Sequence, residues 1–416
     1  MTSTTANTDS ASESNTRPCA VRAPAPIRSW LERIADAQHT AQIVGESALQ
    51  LALGLQPTHY RIHSSIDRAA LLALAPRAVP TGVRSGCITI PTKAGALEVM
   101  PDQAPSSFYQ DDQARPFRIL ALAVDPFIEE VTASADTLAD MDQRRLVPTH
   151  EAQSGLTVQA ALEAARLIAL YDFHPTEELL ARALQEPTAP RPPFERPRMR
   201  YALREVLLAS NVEPALTWLR ESGSEAALVT GVRPNAAALV ARLPADAHLR
   251  ICAWMIDAEA RSLMRTLRFG SEFASEIYRT LELHPIDACV NPNNESAVRK
   301  LLGRVPADDL ANLLTLRRAE AEVLGFAGDR AGAEQAKRGI ERIEEAFATA
   351  RAKASEQQRR TQLAISGAQI MQTLSCPPGP MIGRAMRFLE HKVAAQPEIN
   401  TLDALRAELD TWRDAS

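Results

Sequence analysis

Residues 363–388 read LAISGAQIMQTLSCPPGPMIGRAMRF, and after one further helical stretch the chain reaches Asn400-Thr401 and Leu405. The Pro-Pro-Gly-Pro run at 377–380 stops any helix that enters it, because proline has no amide hydrogen to donate and its ring clashes with the preceding turn. It divides a long upstream helix from a last pair of helices. Gly379 and Gly383 read as residues that allow a sharp turn and close helix packing. Working back from this turn, the pattern is helical from about 155 onward. Val158 to Leu170 is rich in Ala, Leu and Glu, and Pro190, Pro192, Pro193 and Pro197 mark a break. Helices are expected at 198–209, 213–221, 235–242, 246–266, 271–283, 294–303 and 307–325. A long helix at about 330–360 has mixed charges and few large apolar residues, so one of its faces is solvated. No short solenoid-type repeat is present.

The first part of the chain reads differently. Residues 1–27 are small and polar, with prolines in RAPAP, and are expected to form a disordered arm. Trp30, Leu31 and Ile34 suit one helix face. Ile43-Val44-Gly45 suggests a short strand ending in a tight turn, followed by a helix from Ser47 to Leu53 that stops at Gly54. Cys87–Ile90 and Leu97–Val99 read as strands joined by a Lys-Ala-Gly turn. Phe117–Val124 reads as either a strand or a buried helix.

Composition narrows the functional classes. With 45% hydrophobic and 23% charged residues, the 416-residue chain lies in the globular range. Its net charge of −5 lacks the strongly basic balance of many nucleic-acid binders, so any RNA contact must come from a local patch. Five scattered cysteines, none in a C-x-x-C pair, argue against a disulfide framework and suit a reducing compartment. The N-terminus lacks the apolar core of a secretory signal. The longest clean apolar run, Ile119–Val124, is far below the roughly 20 residues of a membrane span. A cytoplasmic location without membrane partners is expected.

The 363–388 segment and Asn400-Thr401 resemble the tail of class II tRNA nucleotidyltransferases (CCA-adding enzymes) and bacterial poly(A) polymerases. In that family an L-x-x-x-G-x-x-(L/I)-M stretch precedes P-x-G-P-x-I-G, a helix and an N-T pair. Leu267-Arg268-Phe269 and the segment from Arg299 through Ala321 resemble body motifs. Val44-Gly45, Leu53-Gly54 with Pro57, the run from Pro80 to Ile90, and Leu97-Glu98-Val99 resemble head motifs in the same order. The resemblance covers about 40–416. It implies an α+β fold: a small N-terminal nucleotidyltransferase-like mixed sheet with helices, followed by an elongated all-helical neck, body and tail. The implied divisions are a head at 28–150, a neck at 151–230, a body at 231–328 and a tail at 329–416.

Nucleotidyl transfer needs Mg²⁺ ions held by carboxylates, which orient the 3′-hydroxyl and the phosphates and offset developing charge. The family supplies these from a D-x-D pair after its G-x-x-P segment. Here those two positions are His59 and Arg61. An arginine has no lone pair for the ion and its charge repels it; histidine is a poor ligand for a hard cation. Glu98 reads either as a remnant ligand or as a solvated strand residue. The second glycine of the family's V-G-G is Glu46, an anion that opposes a triphosphate. Its R-R-D-F-T-x-N-A stretch reads Ala114-Arg115-Pro116-Phe117-Arg118-Ile119-Leu120-Ala121, and its E-D-x-x-R motif aligns with Leu156–Ala160. Asp140 and Asp142 have D-x-D spacing, and Asp111-Asp112 are adjacent. No P-loop, G-x-S-x-G or H-E-x-x-H motif occurs, and the helix equivalent to a His-Asp phosphohydrolase element of some relatives reads Trp254-Met-Ile-Asp257-Ala258.

These departures imply a pseudoenzyme with no catalytic set, no metal and no cofactor. RNA-binding candidates are Arg299, Lys300, Arg304, Arg317 and Arg318 in the body, and Arg384, Arg387 and Lys392 in the tail, with tRNA or another structured RNA as partner. The competing reading makes them solvated cations paired with Glu295, Asp308, Asp309, Glu320 and Glu390. Two alternatives stay open: an active transferase with unusual Mg²⁺ ligands, and a regulatory subunit that pairs with an active homologue or another protein.

Overall fold

The structure is a computed structural model that describes residues 14–81, 86–101, 116–149, 156–185 and 196–415. Contacts divide it into two compact units, Met1–Tyr278 and Arg279–Ser416. The break falls inside the stretch expected as a body at 231–328.

The first unit begins with a sheet built from eight short strands: β1 (Ser14–Pro18), β2 (Ala41–Val44), β3 (His59–Ser64), β4 (Val79–Pro80), β5 (Ile88–Thr92), β6 (Gly95–Pro101), β7 (Ala123–Asp125) and β8 (Glu130–Ser134). Their order is β1-β8-β7-β2-β3-β6-β5-β4. β3 and β6 pair in parallel and the other neighbours are antiparallel, so the sheet is mixed. Alternation on β3 sends Tyr60, Ile62 and Ser64 into the core and leaves His59, Arg61 and His63 on the other face. Helices α1 (Ala25–Asp36), α2 (Glu46–Ala52), α3 (Arg68–Leu74) and α4 (Ala135–Asp142) accompany the sheet. α1 buries Ile27, Leu31 and Ile34 completely.

The reading of 1–27 as a disordered arm is corrected from Ser14 onward. β1 pairs along its length with β8, Arg17 bonds Asp142 at 2.7 Å, and Arg22 bonds Glu129 at 2.8 Å. Backbone pairing supplies what the polar side chains lack. Phe117–Val124 is neither a continuous strand nor a helix. A 3₁₀ turn at Arg118–Leu120 leads into β7, because Arg118 N–H is claimed by the Val147 carbonyl. A small parallel pair outside the first 130 residues, β9 (Arg145–Leu146) with β10 (His174–Pro175), carries no periodicity a sequence reading can use.

The rest of this unit is helical: α5 (Val158–Tyr171), α6 (Glu177–Ala183), α7 (Arg196–Leu208), α8 (Val212–Glu221), α9 (Ser224–Leu228), α10 (Ala236–Ala241), α11 (Ala247–Met255), α12 (Ala260–Thr266) and α13 (Ser271–Glu282), the last running into the second unit. The helix expected at 246–266 is two helices. The Glu259 amide leaves the helical ladder for the Thr230 carbonyl at 3.0 Å. α5 is apolar on nearly every side, as suits a helix packed against α7 and α8.

The second unit continues with α14 (Ile286–Cys289), α15 (Glu295–Arg304), α16 (Ala307–Phe326), α17 (Arg330–Thr361), α18 (Gly367–Leu374), α19 (Pro380–Ala395) and α20 (Leu402–Ala415). α17 buries Ala333, Ala336, Ile340, Ile343, Phe347 and Ala350 at helical spacing, while Glu334, Lys337, Arg338, Glu341 and Arg342 are exposed. A separate core joins Ile370, Leu374, Leu389, Val393, Leu405 and Leu409 across α18–α20. α19 starts at Pro380 after the turn. A Cβ at Gly383 would meet nothing within 4 Å, and Gly379 is fully extended, so close packing requires neither glycine. Among the described residues no helix is long and apolar enough to cross a membrane.

Candidate functional site

The register of β3 against β6 decides the chemistry of the sheet face. Parallel pairing sets Arg61 directly beside Glu98. The Arg61 guanidinium meets the Glu98 carboxylate with Nε and Nη2 both at 2.9 Å, and His59 Nε2 lies 3.7 Å from the same oxygen. Burial works against ionisation of Glu98, but the nearby His59 and the Arg61 charge and hydrogen bond outweigh it and hold its pKa at about 2. Only 14% of its side chain is exposed. Glu98 is therefore not a solvated strand residue; it is the counterion of Arg61. Ser47 on α2 fixes this strand. Its hydroxyl donates to the His59 carbonyl at 3.1 Å and accepts from the Arg61 amide at 2.9 Å.

A second ionic centre lines the same cleft, and its partners come from α2, α5 and α7. Gly45 turns the chain out of β2 with φ +66°, and Glu46 follows as the first residue of α2. Its carboxylate takes both terminal nitrogens of Arg166, Nη1 at 2.6 Å, and the Tyr171 hydroxyl at 2.6 Å. Gln50 donates to that hydroxyl. Arg166 also bonds Glu163 through Nε and Nη2, and Glu205 through Nη1 at 3.0 Å. Tyr201 donates to the far oxygen of Glu205 at 2.9 Å. All five guanidinium N–H groups are thus engaged. Burial disfavours the Arg166 charge, yet Glu163 and Glu46 raise its pKa well above the ordinary value. Burial likewise opposes the Glu46 charge, and Arg166 with Tyr171 lowers its pKa overall. The cleft has a volume of about 650 Å³ and is also lined by Thr157, Gln159, Ala160 and Arg198.

Sequence reading placed Glu46 correctly as an anion beside the turn but missed Arg166, Glu163, Glu205 and Tyr171. One signal was available: Glu163 and Arg166, in a Glu-x-x-Arg pair, are the charged residues of the mostly apolar α5.

Comparison with solved structures decides the architecture. The Bacillus stearothermophilus CCA-adding enzyme in complex with CTP matches 94% of this chain and 99% of its own, with a TM-score of 0.54 at 17% identity. The Thermotoga maritima CCA-adding enzyme complexed with tRNA matches 95% and 98%, with a TM-score of 0.55 at 13% identity. The fold is that of the CCA-adding enzymes. A tRNA nucleotidyltransferase complexed with a primer tRNA and an incoming ATP analogue matches 76% of this chain and 98% of its own, with a TM-score of 0.52 at 16% identity. No family profile matches the chain, and no curated protein matches its sequence.

Within the CCA-adding fold, the donor set does not fit the divalent cations of nucleotidyl transfer. Mg²⁺ takes oxygen ligands in octahedral geometry. On β3 it would meet His59 and a guanidinium, with the nearby carboxylate already paired. The three carboxylates that do converge do so on Arg166, whose guanidinium stands between them. Among the described residues no group of three or more His, Cys, Asp or Glu side chains is placed to hold a metal ion. Asp140 and Asp142 do not form a pair either. They lie two apart on α4, so they diverge. Asp140 is fully buried between Arg118 at 2.6 Å and Arg145 at 2.8 Å, while Asp142 is exposed and bonds Arg17. Asp111-Asp112, Ala114-Arg115 and Gly82–Ser85 lie outside the described residues.

The expected RNA-binding cations all belong to the second unit and differ in placement. Arg317 is turned inward. It holds both oxygens of Asp287 at 2.8 and 3.0 Å and Glu320 at 2.7 Å, with 14% of its side chain exposed. This corrects its reading as a surface cation: its side chain is largely buried and three of its five N–H groups are taken by two carboxylates. Arg318 is exposed and pairs with Glu344. Arg299 lies 3.7 Å from Glu295. Lys300 and Arg304 are exposed on α15, one turn apart. Arg384 and Arg387 are exposed three residues apart on α19, and Arg387 Nε donates back to the Gly383 carbonyl. Lys392 is half-buried, bonding Glu408 at 3.1 Å and lying over the Phe388 ring.

Proposed function

We propose that this chain is a pseudoenzyme of tRNA nucleotidyltransferase ancestry that binds tRNA or another structured RNA and transfers no nucleotide. One observation carries the reading: a cation, Arg61, stands where the family resemblance calls for an acidic metal ligand, and the adjacent carboxylate of Glu98 is already neutralised by it. Lost metal ligands remove the main source of charge stabilisation in phosphoryl chemistry. RNA as the partner is supported by the solved neighbours of the same fold that hold tRNA, and by the exposed Lys300, Arg304, Arg384 and Arg387.

The test is a gel-shift titration of a tRNA transcript in EDTA across increasing salt. Metal-independent binding that weakens steeply with salt is expected, because affinity from phosphate contacts follows counterion release. The double change Arg384→Ala and Arg387→Ala should lower affinity and reduce the salt slope by about 1–2. Absence of tRNA retention at low salt would remove the RNA half of the proposal and leave a protein-interaction role.

A further inference from the structure

We infer that the cleft is occupied from within: Arg166 and its three carboxylates exclude nucleoside triphosphates, with or without metal. The inference rests on the pseudoenzyme reading and adds which ligand class the cleft rejects and which residues reject it.

Three carboxylates, those of Glu46, Glu163 and Glu205, surround a single guanidinium. Their centre therefore carries two surplus negative charges. Two of the three are held from behind as well as by Arg166. Tyr171 holds Glu46, backed by Gln50, and Tyr201 holds Glu205. The guanidinium cannot turn outward to meet a phosphate, because all five of its N–H groups are committed and its side chain is only 7% exposed. Arg61, the other cation of the sheet face, is held by Glu98. Exposed Arg198 is one further cation in the lining, too few to offset the surplus against a polyanion. Like charges brought together in a partly dehydrated cleft oppose binding strongly. The Tyr171 hydroxyl reports the same field: burial and the Glu46 charge raise its pKa.

Isothermal titration calorimetry with ATP and with inorganic tripolyphosphate tests this, in EDTA and again with Mg²⁺. The native chain should bind neither ligand at millimolar concentration. The triple variant Glu46→Gly, Glu163→Gln, Glu205→Gln leaves Arg166 without a counterion, and should bind tripolyphosphate in EDTA about tenfold or more tighter than the native chain. Should the triple variant not fold, Glu205→Gln alone, at a partly exposed carboxylate, should bind tripolyphosphate detectably at millimolar concentration in EDTA, where the native chain does not. Binding of ATP or tripolyphosphate by the native chain would overturn the inference, as would a folded triple variant, or a folded Glu205→Gln, with no gain. ATP binding without nucleotide addition overturns this inference alone; addition to tRNA overturns the functional reading beneath it.

Discussion

At the scale of single residues, the cleft is governed by two arginines and the carboxylates they hold. The Glu98 carboxyl has an ordinary value of 4.5 and is held at about 2 in the folded chain. Its ion pair therefore contributes fully above pH 4.5, and the contribution is lost as pH falls from there toward 2. Glu98→Gln should destabilise the protein by about 1–3 kcal/mol at neutral pH. In urea unfolding, the gap between native and variant should narrow as the pH is lowered through that window; a gap that stays constant would mean Glu98 is not ionised by Arg61. Arg166→Met should cost more, about 3–5 kcal/mol, because it leaves three partly buried carboxylates facing one another. The same unfolding measurement reads it, and a loss under about 1 kcal/mol would show that the centre is open to water. Arg61 was legible as a departure from the D-x-D pattern of the resemblance because that pattern is local. The Arg166 centre was not, since Glu46 and Arg166 lie 120 positions apart and only folding makes them partners.

At the scale of elements, the sequence was most readable where periodicity is long. The helices at 198–209, 213–221, 294–303 and 307–325 stand within a residue or two of their expected bounds. The short strands were harder. β8 (Glu130–Ser134) does alternate but over only five residues, the two-residue β9–β10 pair is too brief for alternation to show, and β1 is built from polar residues held by backbone pairing. Turn chemistry was legible where geometry forces a residue type. Gly95 closes the β5–β6 hairpin with φ +115°, and a Cβ there would lie 2.2 Å from the Thr58 carbonyl oxygen. Gly95→Ala should therefore lower stability by about 2 kcal/mol or more and loosen the strand that carries Glu98, as hydrogen exchange across β6 would show. Asn400, part of the tail signature, has a structural task. Its side-chain oxygen accepts from the Ala364 amide at 2.7 Å and its amide donates to the Gln362 carbonyl at 2.8 Å, tying the α17–α18 connection. Asn400→Ala should cost about 1–3 kcal/mol in chemical denaturation, and no change in midpoint would contradict that role.

At the scale of the whole molecule, a mixed sheet followed by a long helical region reproduces the CCA-adding architecture over nearly the full length of the chain. The fold was legible mainly from one tail segment, because the packing of α18–α20 demands apolar residues, caps and a proline turn at set spacing. The sheet keeps the mixed order of that architecture, and on it the Arg61 guanidinium is paired with Glu98. A scaffold is specified by many apolar contacts and a metal site by a few side chains, so a shared fold does not by itself carry the activity. That difference is why fold and activity must be tested separately. The most direct test incubates the full chain with labelled CTP and ATP, Mg²⁺ and a tRNA lacking its 3′ end. No label should enter the tRNA at any metal concentration. Mg²⁺-dependent addition of nucleotides would contradict the loss of the metal site and show that other ligands hold the ions.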